Sequence, residues 1–140
     1  MKIVTDALIV IAADLGIDFF RTTELTEADF NVHNSSSDLD LMIYNGASSM
    51  TTRFEGAEII DDISCEIYFL TKASSKDFTG DEMDTLLQVT KLLANKTYAA
   101  LNLVTVADIE PYELEGIRIL TDIYVGHKMT ITLPFNNEGC

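Results

Sequence analysis

The sequence predicts a single α+β domain over residues 1–140, with an antiparallel or mixed sheet flanked by a short N-terminal helix and one long central helix. Two patterns predict it. One long segment carries apolar residues at helical spacing, and several shorter runs alternate apolar with polar residues. A length of 140 residues with 47% hydrophobic content is enough for one core. No repeat or linker divides the chain, and residues 136–140 are predicted to form a polar tail.

The first helix is predicted over about residues 3–15. Val4, Leu8, Ile11, Ala12 and Leu15 share one helical face, and Gly16 follows as a stop signal. A short extended segment, "IDFFRTT", comes next. The polar, acidic and serine-rich residues 24–38 then predict a connector.

Two strands are predicted in the middle of the chain, "LDLMIYNG" at 39–46 and "AEIIDDISCEIYFLTK" at 57–72. In the second strand an apolar face is expected, made by Ile63, Cys65, Ile67 and Phe69. Between the strands lies "NGASSMTTRFEG", residues 45–56, which its Gly, Ser and Thr content predicts as a loop. A loop of about a dozen residues is longer than the two to five that a hairpin needs.

The central helix is the clearest local prediction, in "DEMDTLLQVTKLLANKTYAALN". Thr79 as N-cap and Glu82 three residues later form a capping box, with Phe78 and Met83 placed to pack as a hydrophobic staple. Apolar residues then follow one face of the helix for about 20 residues. We expect four of its residues to pack against the apolar strand face: Met83, Leu86, Leu93 and Leu101.

The C-terminal part predicts a strand near Gly116 to Ile123, a turn at Val125 and Gly126, and a last strand. In the last strand Lys128, Thr130 and Thr132 alternate with Met129, Ile131 and Leu133, as in an antiparallel sheet with one buried face. Pro134 is expected to end the ladder because it has no backbone N–H.

Composition argues against several classes of protein. The formal net charge is -14, from 23 acids and 9 bases, which disfavours binding to a nucleic-acid backbone. No apolar run approaches the roughly 20 residues of a membrane span, and the N-terminal segment does not have the pattern of a secretory signal. We therefore expect no membrane association and a cytoplasmic site of synthesis and assembly. Cys65 is predicted as a small core residue and Cys140 as a tail thiol.

No constellation predicts catalysis, a cofactor or a metal. His33 and His127 have no metal-ligand spacing, and His127 is expected to be solvated after a turn glycine. Asp61 and Asp62 are adjacent in a strand, should point to opposite faces, and are predicted as a solvated pair. The serine clusters at 35–38 and 73–77 have no adjacent general base, so they predict turns.

The predicted loop at 45–56 lacks the glycine and lysine order of a phosphate-binding loop. It carries Met50, Arg53 and Phe54 and has no acid before Glu55. An acid-free segment suits contact with a second copy of a chain of charge -14, because a like-charged surface would be repelled. We therefore predict an inter-subunit loop in which Met50, Arg53 and Phe54 make the contact.

The order of elements resembles the tail terminator proteins of long-tailed bacteriophages, and more loosely the head-to-tail joining and tail tube proteins. The resemblance covers nearly the whole chain: the helix "VTDALIVIAADLG", the hairpin of "LDLMIYNG" and "ISCEIYFLTK", the central helix, and the closing "EGIRILTDIYVGHKMTITLPF". It is a likeness of element order and length, without a diagnostic motif.

This resemblance implies a non-enzymatic virion protein that is assembled in the host cytoplasm. Such a protein forms a homo-oligomeric ring, usually a hexamer, that caps the tail tube and joins it to the head-tail connector or portal side. Open sheet edges and a closing heterologous contact are compatible with a ring. DNA would pass through the lumen without specific binding, because an acidic wall repels it.

Three alternatives stay open. The chain resembles other phage neck or tail tube subunits as well. An acidic inhibitor that imitates DNA would explain the charge, but it would need its acids in regular exposed rows. A small enzyme or ligand-binding domain would need a pocket with convergent polar groups, which the sequence does not assemble.

Overall fold

The computed structural model describes residues 2–22, 40–72, 80–119 and 124–137. The elements in chain order are α1 (Lys2–Leu15), β1 (Asp18–Arg21), β2 (Leu41–Glu55), β3 (Glu58–Lys72), α2 (Gly80–Leu101), β4 (Glu113–Ile119) and β5 (Tyr124–Asn136). The strands form one sheet in the order β1-β2-β3-β5-β4. β1 runs parallel to β2, and every other pair is antiparallel. The prediction of an α+β domain with a mixed sheet and two flanking helices is confirmed.

The main core lies between one face of the sheet and the two helices. The alternation in β3 buries the predicted face completely, and the same face of β5 adds a second row. From α1 the core receives Val4, Leu8, Ile11 and Ala12, as the helical spacing predicts. None of the helices that the structure describes is long and apolar enough to cross a membrane.

α2 packs on this face mainly through its C-terminal half. Its buried residues are Thr90, Ala94, Thr97 and Leu101. Leu93 is partly buried against the same core, so the predicted packing of Leu93 and Leu101 is confirmed. Met83 and Leu86 are half-buried and lie outside the core cluster, so that part of the prediction is wrong. Thr79 and Phe78, the predicted cap and staple, lie outside the described residues.

A smaller cluster lies on the opposite face of the sheet and includes residues of all five strands. Leu41 and Ile43 of β2 pair with Leu70 and Tyr68 of β3, and Tyr124 adds to them from β5. Apolar residues therefore occur on both faces of β2 before Asn45, which explains its continuous run of buried positions.

β5 contains the residues that the sequence predicts as a turn. It begins at Tyr124 and continues through Val125 and Gly126, which pair with Thr71 and Leu70 of β3. A Cβ at Gly126 would lie 1.8 Å from the carbonyl oxygen of Phe69. This glycine therefore permits a close approach of two strands, and its reading as a turn residue is wrong.

Pro134 does not end the ladder, because β5 continues to Asn136. The carbonyl oxygen of Pro134 accepts a hydrogen bond from the N–H of Val106, which lies outside the sheet edge, at 3.1 Å. In an antiparallel strand the N and C=O of one residue point to the same side, so the proline nitrogen also faces outward. The missing N–H therefore removes no bond to β3.

Candidate functional site

Residues 45–56 are not a loop. β2 extends to Glu55, β3 begins at Glu58, and Gly56 and Ala57 form a two-residue turn between them. Gly56 has a φ of 63°, the left-handed conformation that such tight hairpin turns need at their first position. Met50, Arg53 and Phe54 are therefore strand residues, and the predicted loop conformation is wrong.

An irregularity at Gly46 divides β2 into two parts. Gly46 has a φ of 102°, and the register to β3 shifts between Tyr44 and Ala47 and again before Ser49. A Cβ at Gly46 would lie 2.7 Å from Nη2 of Arg21, so glycine also makes room for this side chain. Before the irregularity β2 is buried, and after it most residues are exposed. We call residues 47–63, the second part of β2 with the turn and the facing residues of β3, the hairpin arm.

One face of the hairpin arm carries exposed apolar side chains. Phe54 is 77% exposed and Met50 is 50% exposed, and Ile59 pairs directly across from Phe54. Directly opposed strand residues share one face of the sheet, and so do residues at even spacing along one strand. Met50, Phe54 and Ile59 therefore form one surface, which we call the arm patch.

The other face of the hairpin arm is polar and charged. Nε of Arg53 donates to Oδ2 of Asp62 at 2.7 Å, and Nη1 donates to Glu55. These two carboxylates raise the pKa of Arg53 above its ordinary value. The cation that the sequence singled out is thus held within its own chain, and it is still partly exposed.

The prediction for Asp61 and Asp62 is half right. They point to opposite faces, but neither is simply solvated. Asp61 is buried and accepts hydrogen bonds from Oγ1 of Thr52 at 2.6 Å and from Nδ2 of Asn137 at 3.3 Å. Asp62 is paired with Arg53. Both carboxylates therefore fix the base of the arm.

The outer edge of the hairpin arm is open among the described residues. β1 pairs with Leu41 to Tyr44 only, and beyond Asn45 the described partner of β2 is β3 alone. The residues that flank a two-residue turn, here Glu55 and Glu58, form backbone hydrogen bonds with each other. Along the hairpin, pairs bonded in this way alternate with pairs whose backbone groups point away from the partner strand. The N–H and C=O groups of Phe54, Thr52 and Met50 therefore point away from β3. No described residue pairs with these groups, so another strand can pair with them.

A shallow depression of about 590 Å³ lies on the polar side of the arm. It crosses the sheet and is lined by Thr51, Arg53, Asp62, Ser64, Asp108, Glu110, Thr132 and Pro134. Among its lining residues, the hydroxyls of Ser64 and Thr132 are hydrogen-bonded to each other at 2.9 Å. No group of three or more His, Cys, Asp and Glu residues within the described ranges could hold a metal.

His127 is not the solvated residue that the sequence predicts. It lies in β5 on the face toward α2, is half-buried, and its Nδ1 is 2.8 Å from Oγ1 of the buried Thr90. Burial and, to a smaller extent, the charge of Lys91 lower the pKa of His127. The prediction failed because Gly126 was taken for a turn residue. His33 lies outside the described residues, as do both serine clusters.

Two further ionisable groups lie in the core. The prediction of Cys65 as a small core residue is confirmed, and burial raises the pKa of its thiol to about 12. Tyr44 is fully buried, with the guanidinium of Arg21 5.1 Å from its ring centroid. Its hydroxyl finds no hydrogen-bond partner in the described part of the chain, and burial raises its pKa to about 12. Cys140 lies outside the described residues.

Sequence reasoning identified the exposed apolar residues of the arm but not its open edge. The signal for a strand was present in "MTTRF", where Thr and Phe have high β-propensity. A scan against protein-family models finds no match for this chain, and a search of curated proteins finds none either.

Proposed function

We propose that the chain is a non-enzymatic structural subunit that assembles into a ring, acting as a tail terminator of a long-tailed bacteriophage. In this role the ring caps the tail tube and contacts the head-tail connector on its other side. The observation that carries the proposal is the hairpin arm, which combines an open strand edge with the exposed arm patch.

A protein that works as a monomer usually protects a sheet edge with charged residues, proline or a covering segment. The residues of the arm whose backbone groups point away from β3 are Met50, Thr52 and Phe54. None of these three is charged or a proline. Exposed Phe and Met beside a free strand edge favour pairing with another polypeptide. The arm therefore has the properties of an interface rather than those of a solvated hairpin.

The charge distribution favours a second copy as this polypeptide. The net charge of -14 makes most surfaces of two copies repel each other. The outer strand of the arm, residues 47–54, contains no acid, whereas Glu55, Glu58, Asp61 and Asp62 lie at its turn and on β3. The outer strand is therefore the side of the arm through which copies can approach with the least repulsion. A contact between the arm and a different surface of the next copy is heterologous, and it closes into a ring when the rotation fits.

The acidic composition also suits a conduit for DNA. Like charges on a channel wall keep a polyanion from adhering as it passes. The proposal therefore includes passage of DNA through the lumen without specific binding, with the tail tube protein and a connector protein as neighbours.

Native mass spectrometry tests the ring. We expect the wild type to give a multiple of the 15.5 kDa chain, six by the resemblance, and Phe54→Ser to give monomers. Leu92→Ser is the matched control, because Leu92 is also an exposed apolar residue, 53% accessible on α2. The control should retain the ring. A wild type that remains monomeric at every concentration contradicts the proposal.

The tail assignment is tested separately. Tail tubes that lack their terminator are mixed with the wild-type protein, and electron microscopy shows whether one end of each tube is capped. Rings that form but bind no tube end would leave the ring standing and remove the role in the tail.

A further inference from the structure

The junction between the buried part of β2 and the hairpin arm is an Asn-Gly dipeptide, Asn45 and Gly46, the only one in the sequence. In such a dipeptide the backbone nitrogen of the glycine can attack the side-chain amide of the asparagine, because glycine has no Cβ to obstruct the approach. The attack closes a succinimide ring and releases ammonia. A reactive pair therefore lies at the point where the arm leaves the rest of the sheet.

Neither residue of this pair is in register with β3. The pairing runs as far as Tyr44 and resumes at Ala47, so Asn45 and Gly46 fall in the irregularity between them. Residues at such an irregularity are left unpaired, and the backbone ladder constrains them less than it constrains their neighbours. Both residues are half-buried, so water can reach them. The junction thus has the freedom and the solvent access that ring closure and hydrolysis need.

A neighbouring hydroxyl polarises the side-chain carbonyl of Asn45. Oγ1 of Thr22, a buried residue, donates a hydrogen bond to Oδ1 of Asn45. Negative charge develops on Oδ1 when a nucleophile adds to Cγ, and a donor that is already in place stabilises this charge. Thr22 is therefore positioned to act as an oxyanion donor in the closure of the ring.

A fixed positive charge lies against the same dipeptide. Nη2 of Arg21 is 2.7 Å from the position that a Cβ of Gly46 would occupy. Nη1 of Arg21 donates to the carbonyl of Thr22, and Cζ lies 5.1 Å from the ring centroid of Tyr44, so the guanidinium is held in place. A nearby cation favours the deprotonated amide nitrogen that attacks and the oxyanion that follows.

We propose that Asn45 is a site of spontaneous deamidation, which the folded chain accelerates. The nitrogen of Gly46 loses its proton and attacks Cγ of Asn45, and the N–Cγ bond forms. The Cγ–Nδ2 bond then breaks, and Nδ2 leaves as ammonia after taking up a proton. Water opens the succinimide at either of its carbonyls and leaves aspartate or isoaspartate at position 45.

The product changes the junction in two ways. It places a new carboxylate in the neighbourhood of Arg21, whose guanidinium favours the charged product over the amide. Isoaspartate also adds a methylene group to the backbone between the buried part of β2 and the hairpin arm, so the arm leaves the sheet in a different direction. This inference goes beyond the proposed ring and does not depend on it.

Mass spectrometry of the intact protein, incubated at mildly alkaline pH, measures the reaction through the mass gained when an amide NH₂ becomes a hydroxyl. Peptide mapping locates the change and separates aspartate from isoaspartate. We expect the folded wild type to react at position 45 about tenfold faster than the same chain unfolded in guanidinium chloride, which is less than the roughly 10²–10³ of one oxyanion donor in an enzyme site. Asn45→Gln should suppress the reaction, because glutamine must close a larger ring.

Two variants test the groups around the junction. Thr22→Val removes the hydroxyl and Arg21→Gln removes the charge, and we expect each to slow the folded protein toward the rate of the unfolded chain. Thr22→Ser and Arg21→Lys keep the hydroxyl and the charge, and they should restore most of the rate. Thr85→Val is the matched control and should leave the rate unchanged, because the hydroxyl of Thr85 bonds to the carbonyl of Asp81 within α2.

A folded wild type that reacts no faster than the unfolded chain overturns the proposal, as does a first deamidation at another asparagine. Folded Thr22→Val and Arg21→Gln variants that both react as fast as the wild type also overturn it. A slower reaction in one variant alone supports the acceleration and assigns it to that residue. Circular dichroism shows which variants are folded; if Thr22→Val does not fold, Arg21→Gln and the comparison with the unfolded chain decide.

Discussion

Tyr44 carries a buried hydroxyl without a hydrogen-bond partner in the described residues. Leaving such a group unsatisfied costs about 1–3 kcal/mol, so its removal should not destabilise the fold. We expect Tyr44→Phe to keep or raise the free energy of unfolding, by up to about 1 kcal/mol, in a urea melt. Phe retains the aromatic ring beside Arg21.

Tyr98→Phe is the matched control for this prediction, since the hydroxyl of Tyr98 donates to Ile109 at 2.9 Å. It should lose about 0.5–1.5 kcal/mol, the usual worth of one hydrogen bond. A loss of stability in Tyr44→Phe equal to that of the control would show that the hydroxyl of Tyr44 has a partner.

His127 gives the fold a dependence on pH. Its pKa is lowered in the folded chain and has its ordinary value of 6.5 in the unfolded chain. Between these two values the unfolded chain binds more protons, so stability rises with pH. The contribution of the neutral imidazole is therefore complete above about pH 6.5 and is lost as the pH falls toward the folded pKa.

We expect the urea midpoint of the wild type to fall between about pH 7.5 and about pH 5.5, and His127→Gln to reduce that fall. Effects of the carboxylates are common to both proteins, so the difference between the two curves isolates His127. Parallel curves would show that His127 does not titrate differently in the folded chain.

Strands β3 and β5 approach each other closely at Gly126. The 1.8 Å between a Cβ at this position and the carbonyl oxygen of Phe69 cannot be relieved by moving a flexible side chain. Gly126→Ala should therefore cost about 1–3 kcal/mol, or more where the strands must separate. Gly80→Ala is the control, because nothing lies within 4 Å of its Cβ. Equal thermal melts for the two variants would contradict the close approach.

The regular elements with one buried face were predictable from sequence. α1, α2 and β3 each repeat apolar residues at the period of their structure, and that period records which face is buried. Thr90 and Thr97 lie on the buried face of α2, although both residues are polar. Each hydroxyl lies near a backbone carbonyl of the preceding turn, Leu87 and Leu93.

The outer strand of the hairpin arm was harder to predict because most of its residues are exposed on both faces. Without burial on one side, an edge strand need not alternate apolar with polar residues, and "GASS" resembles a loop in composition. The predictions for Gly126 and Pro134 were wrong for a related reason. Gly126 was predicted in a turn and Pro134 at the end of a strand. In the sheet, Gly126 permits the close approach of two strands, and the nitrogen of Pro134 faces away from β3.

At the scale of the whole molecule, a chain of net charge -14 presents the exposed Met50, Phe54 and Ile59 of the arm patch at one edge of its sheet. In the proposed ring, a heterologous contact would cover the arm patch of every copy once the ring has closed. Pairing of the arm edge with a neighbouring copy would also remove an open strand edge, which otherwise favours aggregation.

Negative-stain electron microscopy of the purified wild-type protein tests this account most directly. We predict class averages of closed rings with a central opening and one rotational symmetry, the arm of each subunit lying over its neighbour. Two-fold dimers, open filaments or isolated monomers at all concentrations would contradict the account, because none of them comes from a heterologous contact that closes.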